Sequence, residues 1–87
     1  MLELFQLEGC SECGRVREKL SELSLDYTVR QVPAEREQRS RLSRMTGQAE
    51  VPVLIDVERS MIVTEAHDII AYLQEFYGDR AGQGDPE

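Results

Sequence analysis

The chain has 87 residues, of which 40% are hydrophobic, so it can form one compact domain but has little room for a second. Its net charge is −7, from 17 acidic and 10 basic residues, and this argues against nucleic acid as the main partner because phosphates would be repelled. No apolar stretch approaches the roughly 18–20 residues needed to cross a bilayer, and the N-terminus has no basic leader. We therefore expect a cytoplasmic protein with no membrane partner.

The first half of the chain has the pattern of a β-α-β unit. A short apolar run that ends at Leu7 predicts a first strand. Apolar residues at spacings of four and three then predict a helix over 11–24. The stretch 26–32 alternates and contains β-favouring residues, so it predicts a second strand, which Pro33 ends. Two strands joined by a helix are expected to be parallel, with a right-handed crossover.

The second half begins with a polar helix and continues with a hairpin. Residues 34–45 are mostly polar with a thin apolar stripe, which predicts an exposed helix that Gly47 ends in a C-terminal cap. The apolar run over 51–57 predicts a third strand. A fourth strand over 61–63 follows after three residues, and so short a connection requires the two strands to be antiparallel.

A final helix completes the domain. Thr64 is the predicted N-cap, a broad apolar face recurs at helical spacing, and Gly78 is predicted to end the helix. Residues 79–87 are polar and rich in Gly and Asp, so we expect a flexible C-terminal tail after a folded domain over 1–78. The order β-α-β-α-β-β-α predicts an α/β protein of the thioredoxin-like fold. Its four-stranded mixed sheet would have strand order 2-1-3-4, with helices on both faces.

The pair Cys10 and Cys13 lies where the first helix is predicted to begin. Unpaired backbone N–H groups and the positive end of the helix dipole favour the thiolate, the reactive form, at this position. Cys10 is therefore the expected nucleophile. Cys13, one turn further, should be more buried, have the higher pKa and resolve the mixed disulfide. Gly9 is expected to form a sharp turn that leaves the sulfur accessible.

Other interpretations of the two cysteines remain open. They can be ordinary core thiols, or they can bind metal. A zinc site within one chain would need four ligands, and the only other candidate, His67, is distant in sequence. A cluster shared by two chains is the further alternative. We expect no metal in the single chain, and we expect His67 to be solvated near the start of the last helix.

Four arginines and three aromatic residues have simpler predicted roles. The arginines are expected to form a solvated face of the second helix, and the aromatic residues to pack in the core and at its rim. These residues are Arg36, Arg39, Arg41 and Arg44, and Tyr72, Phe76 and Tyr77.

Several segments together resemble a known family. Residues 4–13 resemble the strand, turn and helix of glutaredoxins, and 44–47 followed by 51–56 resemble the end of their second helix and their third strand. Residues 61–73, with the sequence MIVTEAHDIIAYL, are more similar to the N-terminal domain of glutathione transferases. The resemblance spans about residues 2 to 77 and identifies a glutaredoxin-like domain with glutathione-transferase N-terminal character.

The resemblance implies four substrate-binding residues. In that family a cis-proline packs beside the cysteines and the residue before it offers its backbone to the substrate, which here corresponds to Pro52 and Val51. The γ-glutamyl end of glutathione binds at the N-terminus of the last helix, which here corresponds to Glu65 and Ala66. Ala66 replaces the usual serine of the transferases.

The family resemblance implies a thiol–disulfide oxidoreductase that acts through Cys10 and Cys13. Its substrates would be protein disulfides or mixed disulfides of small thiols. The expected co-substrate is glutathione or a related low-molecular-weight thiol, and the expected form is a monomer. Leu7 stands where many glutaredoxins have lysine, and Ser11-Glu12 replaces their Pro-Tyr. The alternatives are an iron–sulfur cluster-binding dimer and a non-catalytic, transferase-like thiol-binding module.

Overall fold

A computed structural model describes the backbone of residues 1–83 and the side chains of residues 1–78. It confirms the predicted element order and sheet. The strands are β1 (Leu2–Gln6), β2 (Thr28–Gln31), β3 (Val53–Asp56) and β4 (Met61–Thr64), and the α-helices are α1 (Ser11–Glu22), α2 (Ser40–Thr46) and α3 (Ala66–Gln83). None of the helices in this part of the chain has the length and apolarity required to span a bilayer.

The four strands form one mixed sheet in the order β2-β1-β3-β4. β1 is parallel to β2, whereas β1 with β3 and β3 with β4 are antiparallel. The crossover helix α1 permits the parallel pairing, and the short turn after β3 requires the antiparallel one. The strand order 2-1-3-4 is therefore the observed order. It places the C-terminal end of β1, which leads to the cysteines, beside the start of β3.

Successive residues of β1 and β3 pack on opposite faces of the sheet, because side chains alternate along a strand. Leu4 and Leu54 belong to the larger core, which α1 and α3 cover. Phe5 and Val53 belong to a smaller core, which Leu42 of α2 covers. The single short helix on this second face explains why the sequence showed only a thin apolar stripe there.

The segment predicted as one helix over 34–45 differs in the structure. It contains a 3-10 turn, Arg36–Gln38, and then α2, with Arg39 between them at φ −96° and ψ 51°. The prediction that Arg39 is solvated was wrong, because only 6% of it is exposed. Its guanidinium turns inward and donates to three backbone carbonyls, and this inward turn interrupts the helix. Gly47 ends α2 in the left-handed conformation, as predicted.

Both ends of the last helix differ from the sequence prediction. Thr64 belongs to β4, and Glu65, at φ 72°, is the residue before α3, so the predicted N-cap was wrong by one residue. At the other end α3 continues through Gly78 to Gln83. A glycine within a helix costs only about 1 kcal/mol relative to alanine, which does not by itself end a helix. Residues 84–87 of the predicted tail lie outside the described residues.

Candidate functional site

The two cysteines occupy the start of α1 as the sequence predicted. Cys10 is the N-cap residue, half-buried and extended in backbone conformation, and Cys13 is fully buried. The Cys10 Sγ accepts a hydrogen bond of 3.3 Å from the backbone N–H of Cys13. Gly9, at φ 85°, forms the turn before Cys10, and no atom lies within 4 Å of the position that a side chain there would occupy. The Cys10 sulfur is therefore both reachable and placed against a backbone donor.

The Cys13 thiol is held in its protonated form. Burial, and then its hydrogen bond to Cys10, raises the pKa of Cys13 to about 11, and the positive charge of Arg17 opposes part of this rise. Cys13 is therefore the more buried thiol, as its position one turn inside α1 predicted, and the roles of the two thiols stay a prediction.

A polar cluster centred on the buried Gln6, which the sequence prediction missed, includes the half-buried Arg17 of α1 and the exposed Gln31 of β2. Arg17 donates to the side-chain oxygen of Gln6, which is itself only 2% exposed and donates to Gln31 at 2.6 Å. This contact holds Arg17 one helical turn after Cys13. The i, i+4 spacing of Cys13 and Arg17 could have predicted from the sequence that the two side chains are neighbours on α1. No pattern in the sequence could have predicted that Gln6 is buried.

The predicted substrate-binding residues meet in one groove of about 580 Å³. Glu12, which lies between the two cysteines in sequence, also lines it, whereas neither cysteine does, so the groove adjoins the first turn of α1. The lining residues are Glu12, Gln48, Glu50, Val51, Pro52, Thr64, Glu65, Ala66 and His67. The Val51–Pro52 peptide bond is cis, as the resemblance implied.

The N-terminus of α3 forms one wall of this groove. Ala66 is buried there, Glu65 and His67 are exposed, and the Glu65 carbonyl accepts from the Ile69 N–H at 2.9 Å. The first N–H groups of a helix have no acceptor within the helix and are suited to an anion such as a carboxylate. His67 is solvated, as expected from the sequence.

Acidic side chains line much of the groove. Glu12 pairs with Arg15 at 2.9 Å, and Glu50 pairs with Arg36. Both pairs are exposed, so each contributes little to stability and leaves its groups accessible to competing charges. Within the described residues, no three His, Cys, Asp or Glu side chains converge on a metal-binding position.

These features define the class of protein: a thioredoxin-like fold with a CxxC pair at the start of α1 and a groove beside it. The sequence model of the glutathione S-transferase N-terminal domain matches residues 4–81. The chain therefore belongs to the glutathione S-transferase N-terminal domain family. No curated protein sequence matches it.

Solved structures similar to this chain come from several organisms. A glutathione S-transferase from Rhodospirillum rubrum is 29% identical, with a TM-score of 0.78 over 91% of this chain and 35% of its own. A diazinon-metabolizing glutathione S-transferase of the silkworm Bombyx mori is 24% identical, with a TM-score of 0.79 over 99% and 41%. Glutaredoxin 2 from Salmonella typhimurium, solved in complex with glutathione, is 22% identical, with a TM-score of 0.78 over 90% and 34%. The chain thus spans between about a third and two fifths of the length of these three proteins.

Proposed function

We propose that the protein is a thiol–disulfide oxidoreductase of the glutaredoxin type. It would reduce protein disulfides or mixed disulfides of small thiols, acting as a monomer in a reducing compartment such as the cytoplasm. The observation that supports this best is the unequal thiol pair. The half-buried Cys10 sulfur accepts from the Cys13 N–H, while Cys13 is buried with its pKa raised to about 11.

In the first step the Cys10 thiolate attacks one sulfur of a substrate disulfide. A bond forms between Cys10 and that sulfur, the substrate S–S bond breaks, and the other half leaves as a thiolate that takes a proton from water. The backbone N–H of Cys13, 3.3 Å from the Cys10 sulfur, stabilises the attacking thiolate. The groove beside Cys10 would hold the substrate chain against the backbone of Val51.

In the second step Cys13 loses its proton to water and attacks the Cys10 sulfur. The mixed disulfide breaks, the second half of the substrate leaves as a thiol, and a Cys10–Cys13 disulfide forms. Arg17 favours the Cys13 thiolate during this step because its positive charge is close by. The two electrons that the substrate gained have come from the cysteine pair.

Two molecules of glutathione, or of a related small thiol, would then return the pair to the dithiol and become one small-molecule disulfide. The N-terminus of α3 at Glu65 and Ala66 is the proposed position for the carboxylate of that thiol. Glutaredoxin 2, a structural neighbour, binds glutathione. That likeness supports the co-substrate as a proposal for this chain.

The test compares the wild type with Cys10→Ser and Cys13→Ser. Substrates are a glutathionylated peptide and a protein disulfide, with glutathione and glutathione reductase regenerating the dithiol. Cys10→Ser should lose all activity. Cys13→Ser should keep partial activity on the glutathionylated peptide, where one thiol is sufficient, and should lose activity on the protein disulfide.

A fully active Cys10→Ser variant would contradict the mechanism. A wild type that binds glutathione but reduces neither substrate would instead indicate the non-catalytic thiol-binding module. Anaerobic purification separates the remaining alternative, because a cluster-binding protein should yield a coloured dimer.

A further inference from the structure

Arg39 is a buried cation held only by backbone carbonyls in the described part of the chain. Its Nε donates to the Pro33 carbonyl at 2.7 Å, Nη2 to the Ala34 carbonyl at 3.0 Å, and Nη1 to the Ala49 carbonyl at 2.8 Å. No carboxylate within residues 1–78 pairs with it. A buried charge requires such bonds, because an unpaired one is strongly disfavoured.

The three carbonyls belong to two segments that are distant in sequence. Pro33 and Ala34 follow β2, whereas Ala49 lies in the loop between α2 and β3. The planar guanidinium has its donors in a rigid fork, so one side chain can hold both segments at a set separation. Arg39 therefore connects the exit of β2 to the loop that ends in the cis-proline.

The loop that Arg39 holds leads directly into the substrate groove. Two residues after Ala49 comes Val51, which lines the groove together with Glu50. Apart from the exposed ion pair of Glu50 with Arg36, the remaining side-chain hydrogen bonds of this loop are local: Thr46 bonds to Leu42 and Gln48, and Gln48 accepts from the Glu50 N–H. These local bonds shape the loop, and the Arg39 bond ties it to the body of the domain.

We propose that Arg39 is a positioning residue, whose bond to the Ala49 carbonyl sets where the backbone of Val51 meets a bound disulfide substrate. The role rests on the proposed function, because it concerns the substrate of the Cys10 reaction. Arg39 does not touch the thiols. Its loss should therefore weaken the capture of an extended substrate and leave the intrinsic reactivity of Cys10 unchanged.

The chain offers a matched control in Arg36. This arginine begins the 3-10 turn that precedes Arg39 and also reaches the loop, but through an exposed ion pair with Glu50. Exposed pairs contribute little, so Arg36→Gln should leave turnover unchanged. The comparison distinguishes the effect of the buried Arg39 hydrogen bonds from a general effect of positive charge near the groove.

The experiment measures Arg39→Gln, Arg39→Lys and Arg36→Gln with two readouts. The first is kcat and KM for a glutathionylated peptide. The second is the alkylation rate of Cys10 by iodoacetamide in a Cys13→Ser background. Both Arg39 variants should raise KM by about tenfold, which is less than the roughly 100-fold that a misplacement of about 1 Å can cost. Neither kcat nor alkylation should change by more than about twofold, and Arg36→Gln should match the wild type.

Chemical rescue tests the guanidinium directly. Millimolar guanidinium chloride should restore the KM of Arg39→Ala, because a guanidinium ion can occupy the space left by the truncation and donate the same hydrogen bonds as the Arg39 side chain. The same salt should not restore the KM of Arg39→Lys, where the lysine stem fills that space.

Three results would overturn the proposal: an unchanged KM in Arg39→Gln and Arg39→Lys, a loss of Cys10 alkylation equal to the loss of turnover, or failure of all the Arg39 variants to fold. If the wild type reduces no disulfide, the proposed function fails instead. Amide hydrogen exchange of residues 47–51 then still tests the positioning role, since only the Arg39 variants should exchange faster there.

Discussion

Asp56 is predicted to hold α3 against the sheet through a buried hydrogen-bonded cluster. Its side chain has no exposed surface, and one carboxylate oxygen accepts from the hydroxyls of Tyr72 at 2.8 Å and Tyr77 at 2.6 Å. Burial alone would raise the pKa of Asp56, but the hydrogen bonds from Tyr77, from Tyr72 and from the backbone of Arg59, together with the charge of the N-terminus, hold this pKa below its ordinary value of 3.8. The carboxylate is therefore ionised at neutral pH.

The magnitude follows from these two contacts. Hydrogen bonds to a charged group contribute about 1.5–3 kcal/mol each, and Asp56→Ala removes both. Removal of the buried charge returns part of that energy, so we expect a net loss of about 2–4 kcal/mol. A domain of this size has an unfolding free energy of about 4–13 kcal/mol, so the loss is a large fraction of the total. Tyr72→Phe, which removes one of these bonds, should cost about 1.5–3 kcal/mol.

Urea unfolding followed by circular dichroism at pH 7 measures these differences. Glu58→Ala is the matched control, because Glu58 is 76% exposed two residues along the chain and should change stability by less than about 0.5 kcal/mol. An Asp56→Ala variant as stable as the control would refute the reasoning.

The stability of the fold should fall at both acid and alkaline pH, because Asp56 and Tyr72 have shifted pKa values. A depressed carboxyl pKa stabilises the fold above the unfolded value of about 3.8, and this contribution is lost as the pH falls below 3.8 through the folded pKa. Burial, followed by the hydrogen bond to Asp56, raises the pKa of Tyr72 to about 12. Its contribution is complete below pH 10 and is lost as the pH rises from 10 towards 12.

Three further predictions concern the site. The release step by Cys13 should accelerate as the pH rises above 7 in single-turnover measurements, because only the thiolate attacks and burial, the largest cause, raises the pKa of Cys13; a flat profile would contradict the assignment. Arg17→Gln should slow the same step about threefold at pH 8, since the charge that favours the thiolate is lost, whereas the exposed Arg15→Gln should not. Ala66→Ser should lower KM for a glutathionylated peptide about three- to tenfold, which is the equivalent of one added hydrogen bond. Ala71→Ser, on the exposed side of the same helix, is the control. An unchanged KM in Ala66→Ser, or an equal effect of Ala71→Ser, would argue against a carboxylate site at the start of α3.

The fold could be predicted from the sequence because its helices and strands depend on local patterns of apolar residues. The alternation of strands and the three- and four-residue repeats of helices reflect which face of each element is buried. The turns at Gly9 and Gly47 and the cysteines at the start of α1 depend on neighbours within a few residues. The cis bond before Pro52 and the groove residues Glu65 and Ala66 followed from the family resemblance. The predicted element boundaries near Arg39, Thr64 and Gly78 were wrong. At these positions the local sequence is compatible with more than one boundary, and tertiary packing determines which one forms.

What the sequence determined by itself is the order of elements, the sheet that this order permits, and the pair of thiols at a helix start. Only the tertiary structure revealed the buried polar groups: Arg39 on the Ala49 carbonyl, Gln6 on Arg17, and Asp56 between two tyrosines. Each of these contacts joins residues ten or more positions apart. The partner in the first case is a backbone carbonyl, which every residue has, so no side-chain pattern marks it. Polar groups become buried in this way only when the folded chain brings a partner to them, because an unpaired polar group in the interior is too costly to persist.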